Sequence, residues 1–91
     1  MTLISDTDTP LLASKARVRW DPIRQKHLLL FPEGLLILNQ TAHEVITMCD
    51  GKHKVNIIVN SLADKYKTDV DADIRELLSR LVEKRLLLLL E

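Results

Sequence analysis

Cysteine occurs once in these 91 residues, at Cys49. That excludes an intrachain disulfide and any cysteine-only metal or iron–sulfur site built by one chain. Glycine occurs twice, at Gly34 and Gly51, so no glycine-rich loop is present to cradle a phosphate. Trp20, Phe31 and Tyr66 are the only aromatics, which leaves leucine, valine and isoleucine to build the core. Neither charge dominates: 13 basic and 13 acidic residues give a formal net charge of zero. Long-range attraction to nucleic acid or to an anionic membrane is therefore not expected. The longest apolar run, Leu86–Leu90, is far short of the ~20 residues of a membrane span. The Met1–Asp6 start has neither a basic region nor a long apolar core, so it does not read as a signal peptide. A cytoplasmic protein is expected.

What is present is an apolar content of 46%, enough for one small domain with modest stability. Residues 1–15, rich in Thr, Ser and Asp, read as a flexible tail, and residues 16–91 as the domain. Arg17–Asp21 alternates charged with apolar, the pattern of a half-buried strand. Lys26–Phe31 is a second strand, and Leu35-Leu36-Ile37-Leu38 a third, after the turn Pro32-Glu33-Gly34. Short connections make the three an antiparallel meander.

Three helices follow. Ala42, Val45, Ile46 and Cys49 share one helical face, with Thr41 and Glu44 at capping-box spacing and Asn39 as a competing cap. Val55, Ile58, Val59, Leu62 and Tyr66 form a second stripe; Ile74, Leu77, Leu78, Leu81 and Val82 form a third. The fold class is thus α+β and winged-helix-like: a three-stranded antiparallel meander, then three helices. Leu86–Leu90 reads either as a short C-terminal strand or as a helix extension.

The third strand carries the functional signal. A strand with one face on the core normally alternates apolar with polar. Leu35–Leu38 does not, so its second face requires cover from within the chain or from a partner. An extended peptide added to a free edge would supply it.

The ordered series Leu30-Phe31-Pro32-Glu33-Gly34, Leu38-Asn39-Gln40-Thr41-Ala42, Cys49-Asp50-Gly51, Ile58-Val59, Leu62-Ala63, Tyr66, Asp73-Ile74 to Leu81 and Leu86-Leu87 resembles the PqqD family. These are the peptide chaperones of pyrroloquinoline quinone biosynthesis. The resemblance implies a non-catalytic protein that binds the leader of a ribosomally made precursor peptide. The leader adds as a strand against the third strand, in a groove bounded by the third helix. The protein presents it to a radical S-adenosylmethionine enzyme. The docking edge would then be Leu35, Leu36, Ile37 and Leu38, with Arg75, Leu78, Ser79 and Val82 as the groove wall. The chain departs from the family at Arg85, where glycine is expected, which suggests a longer helical end. It departs again at Lys54, where Ser or Thr commonly caps the second helix.

The remaining reactive residue types have plainer roles. Cys49 completes an apolar stripe and reads as a small hydrophobe rather than a nucleophile. His43 lies six residues from Cys49, about 240° round a helix, so the two do not share a metal-binding face. Gly51 interrupts the helix before His53, and His27 has no acidic partner nearby in sequence. Asp71 and Asp73 suit a helix start. No cofactor or metal is expected, and no convergent polar constellation suggests an enzyme. A homodimer joined through leucine surfaces remains open. A winged-helix DNA regulator would read DNA with residues 71–85, yet that segment carries four acids and four bases. Binding to a random duplex at physiological salt should therefore be no tighter than ~10⁻⁴ M. A steeply salt-dependent, sequence-selective gel shift would contradict this.

Overall fold

The computed structural model describes residues 3–90; Met1, Thr2 and Glu91 fall outside the described residues. The element order is β1 (Thr9–Leu12), β2 (Arg17–Asp21), β3 (Lys26–Phe31), β4 (Gly34–Leu38), α1 (Gln40–Thr47), α2 (Val55–Tyr66), α3 (Asp71–Glu83) and β5 (Leu87–Leu90). Strands β2, β3 and β4 form the meander, with β3 in the middle and β2 and β4 as edges.

The register sorts the side chains of the meander by face. Val18, Leu29 and Leu36 share one rung and Trp20, His27 and Leu38 another, both on the helix side. Leu29 and Leu38 are buried there. They meet Val45 and Ile46 of α1, Ile58 and Leu62 of α2, and Ile74, Leu78 and Leu81 of α3 in one core. The intervening rungs point away from the helices.

The segment read as a tail contains a strand. Antiparallel β1 pairs with β5, Thr9 opposite Leu90 and Leu12 opposite Leu87. Pro10 is fully buried and Ile4 joins the core. The polar composition of residues 1–15 obscured this, because the partner strand lies some 78 positions away in sequence. The same pairing makes Leu87–Leu90 a strand, with Leu86 just before it. Its path also explains Gly51, whose φ of +78° is left-handed; a Cβ there would sit 3.4 Å from Leu11 Cδ1 and 3.5 Å from Leu90 Cδ1.

The helix ends are finished in three different ways. For α1 the competition resolves to Asn39, whose Oδ1 accepts from the Ala42 N–H at 2.8 Å. Glu44 is thereby free to reach α2, where it pairs with Lys65 and accepts from the Tyr66 hydroxyl at 2.7 Å. Lys54 gives α2 no side-chain cap. Two carbonyls from the N-terminal segment serve instead: Asp8 accepts from Val55 N–H at 2.9 Å and Asp6 from Asn56 N–H at 3.1 Å. At the end of α3 the expected helical extension does not occur. The helix stops at Glu83 and Arg85 takes φ +62°, the left-handed conformation that glycine adopts more readily.

Leu78 sits at the centre of this core with no solvent exposure. Leu78→Ala should cost about 2–5 kcal/mol, the range for truncating a buried leucine. Chemical denaturation monitored by circular dichroism would measure it.

Candidate functional site

Strand β4 is built for two different neighbours. Leu36 and Leu38 face the helices, Leu38 buried and Leu36 half-buried. Leu35 and Ile37 face the other way and are 45% and 56% exposed. No element of the described chain covers that second face, and the C-terminal leucines pair with β1 instead.

The backbone is equally divided. Phe31 and Gly34 close the β3–β4 hairpin around Pro32 and Glu33. Closing residues of a two-residue loop exchange hydrogen bonds, and bonded pairs then alternate along the ladder. The N–H and C=O groups of Leu36 and Leu38 therefore point toward β3. Those of Leu35 and Ile37 point outward along the open edge.

Beside that edge lies a cleft of about 470 Å³. Its floor is Leu36, Leu38, Ala42 and Val45, and its helical wall is Asp73, Ile74, Glu76, Leu77 and Arg80 of α3. Ile74 is buried and Leu77 half-buried, so the wall is apolar at its base. Its lip is charged: Arg80 pairs with Glu76 at 3.3 Å, while Asp73 is exposed. Such a slot, with an unpaired backbone on one side and apolar side chains below, suits an extended peptide.

The wall is not the one expected from sequence. Arg75, Leu78, Ser79 and Val82 do not line this cleft. Leu78 and Ser79 are buried, and Val82 packs against the core. Arg75 donates from Nη1 to the Ile4 carbonyl at 2.9 Å and from Nε to Asp71 at 2.9 Å, and its Nη2 reaches Asp6. It tethers the N-terminal segment to α3. The difference is one of rotation: Leu77 lines the cleft, whereas Leu78, expected in the groove wall, is core. Both belong to one apolar stripe, and only the placement of the sheet and the N-terminal segment distinguishes its two sides.

The remaining polar candidates also have partners. Cys49 donates its thiol to the Val45 carbonyl at 3.2 Å, and burial pushes its pKa up to about 12. His53 Nδ1 lies 3.0 Å from Asp50. His27 and His43 stack with ring centroids 3.7 Å apart, and Trp20 meets His27 edge-on at 4.9 Å. Only the cross-strand pairing of Trp20 with His27 was implicit in the meander; His43 arrives from α1. The stack adjoins the far end of the open β4 edge, since His27 stands opposite Leu38.

An antiparallel meander backed by three helices, with an open sheet edge beside the last of them, defines a small winged-helix-like domain. The chain belongs to the PqqD family: the family model described as Coenzyme PQQ synthesis protein D (PqqD) matches residues 26–87. A protein of Methylococcus capsulatus named PqqA binding protein is 38% identical over 71 residues, covering 77% of this chain and 72% of its own. The bifunctional coenzyme PQQ synthesis protein C/D of Methylorubrum extorquens is 37% identical over 89 residues, or 94% of this chain, which spans 24% of that longer protein. The solution structure of the PqqD truncation of Methylobacterium extorquens PqqCD, described as a stand-alone recognition element for ribosomally synthesised, post-translationally modified peptides, superposes with a TM-score of 0.81 at 37% identity, covering 96% of both chains. The crystal structure of PqqD from Xanthomonas campestris gives 0.55 at 31% identity, covering 92% of this chain and 97% of that one.

The histidine stack predicts a pH response. Burial, and then the charge of His27, hold the His43 pKa below its ordinary value. The unfolded chain takes up this proton first as pH falls, so stability declines below about pH 6.5. Thermal melts between about pH 7.5 and 5.5 should show a falling midpoint, and His43→Phe should flatten that slope.

Proposed function

We propose that this protein is a non-catalytic chaperone for the PqqA precursor peptide in pyrroloquinoline quinone biosynthesis. It binds the leader as an added strand on β4 and presents it to a radical S-adenosylmethionine enzyme. The observation that carries the reading is the open edge of β4, with the Leu35 and Ile37 backbone directed outward over an apolar cleft. The names of the relatives support the choice of ligand, as does the recognition-element description of the Methylobacterium structure.

The mechanism is docking rather than chemistry. Leu35 and Ile37 each offer one donor and one acceptor to an incoming strand. Each bond contributes roughly 1 kcal/mol net. Backbone pairing accepts many sequences, while alternate leader side chains drop onto Leu36, Leu38, Val45, Ile74 and Leu77 and supply selectivity. A strand held this way is extended and fixed in register, so its following residues leave the protein in a defined direction. The peptide-binding set proposed from the geometry is therefore Leu35, Leu36, Ile37 and Leu38 of the edge with Ile74, Leu77 and the charged lip of α3.

Proline substitutions separate the two sides of β4. Ile37→Pro removes an outward N–H, and an edge strand tolerates proline on that side. Leader affinity should fall about fivefold or more, the equivalent of one hydrogen bond of ~1 kcal/mol, with the fold retained. Leu36→Pro removes a ladder bond to β3 and should lower the melting temperature instead. Calorimetry with the PqqA leader and thermal melts read both effects. If both variants fold and bind the leader as the parent does, β4 is not the docking edge.

A further inference from the structure

The helix that walls the cleft is also held from behind. Arg75 is two positions from both Asp73 and Leu77, about 200° round the helix from each, so it leaves α3 on the side away from the cleft. Its guanidinium works in three directions. Nε donates to Asp71 one turn back at 2.9 Å, Nη1 donates to the Ile4 carbonyl at 2.9 Å, and Nη2 pairs with Asp6. Ile4 is buried and belongs to the core. Asp6 is engaged twice: its carboxylate meets Arg75, and its backbone carbonyl accepts from the Asn56 N–H at 3.1 Å in the first turn of α2. The same segment runs on into β1, whose partner β5 follows α3 after Lys84-Arg85-Leu86. Residues 4–12 therefore hold α3 twice, through Arg75 in its first half and through β5 beyond its end.

We propose that Arg75 is a positioning residue for the leader groove: by gripping residues 4–6 it lets the N-terminal segment set how far the α3 wall stands from β4. This role rests on the leader-docking reading given above. A leader strand between β4 and α3 gains from Ile74 and Leu77 only if that spacing is right. Apolar contacts in the core are non-directional. The guanidinium fork, by contrast, fixes both distance and angle. Its pair with the exposed Asp6 carboxylate is worth little as charge attraction. The bond to the carbonyl of buried Ile4 carries the positional information. Such coupling is reciprocal: a docked N-terminal segment holds the groove ready, and a filled groove holds the segment in place.

The test uses the full chain and a synthetic PqqA leader, with affinity read by calorimetry and the Val55 and Asn56 amides by NMR. Those amides donate to the carbonyls of Asp8 and Asp6, and neither residue lines the cleft. Arg75→Ala should weaken leader binding about fivefold or more, the low end of ordinary coupling between sites, while remaining folded at the temperature of measurement. Arg75→Lys keeps the charge but not the fork and should fall between that variant and the parent. Asp6→Ala keeps the carbonyl that caps α2 and should weaken binding less than Arg75→Ala does. Combined, Asp6→Ala and Arg75→Ala should cost no more than Arg75→Ala alone, because both break one link. A saturating leader should shift the Val55 and Asn56 amide resonances in the parent and leave them still in Arg75→Ala. Folded variants that bind the leader as the parent does would overturn the positioning role and leave leader docking in place. So would additive losses in the double variant, or amide resonances that do not move in the parent. If Arg75→Ala fails to fold, the two milder variants decide: a graded loss supports the role, and parental affinity in both overturns it. A parent that does not bind the leader would sink the docking reading itself, and this role with it.

Discussion

Burial of the α3 stripe is the constraint on which the rest of the site depends. Ile74, Leu78 and Leu81 are each almost or fully removed from water. They lock the helix against the meander, α1 and α2 in a single rotational setting. That setting turns Leu77 and Asp73 toward β4 and Arg75 toward the N-terminal segment. Rotating the helix by one residue position, about 100°, would close the cleft and expose core leucines. The groove is thus a by-product of core packing, held open in part by Leu78 and Leu81, which do not line it.

The second organising feature is the unequal treatment of the two sheet edges. Natural sheets usually blunt an exposed edge with charge, and β2 follows that practice with Arg17, Arg19 and Asp21. In β4 the four residues after Gly34 are all apolar. An edge left unprotected in this way invites pairing, which is a hazard unless the pairing is the function. Concentrating the invitation in five residues, flanked by a helix that limits what can approach, confines the risk.

Much of this was legible in the sequence because it is local. The three meander strands, three helical stripes and the anomalous Leu35–Leu38 run all follow from spacings within a dozen residues. What was not legible is non-local. The strand at Thr9–Leu12 exists only because residues 87–90 come to meet it. Periodicity identified the apolar stripe of α3 but not which flank turns to the groove, since Leu77 and Leu78 are equivalent until neighbours are placed. Arg85 misled for a different reason. A non-glycine residue argued for more helix, yet the chain turns there through the left-handed conformation all the same, with Leu86 buried immediately after.

The carbonyl caps of α2 bear on how this domain can be cut and joined. Val55 and Asn56 are satisfied by the backbone of Asp8 and Asp6, and Arg75 grips the same stretch at the Ile4 carbonyl. Residues 4–12 therefore behave as a strap buckled across the helical layer. A minimal fragment begun at residue 16 would discard the buckle along with a strand. A fusion that joins another domain in front of this one needs a linker that ends before the strap begins. The junction would then govern how far the domain can swing relative to its neighbour.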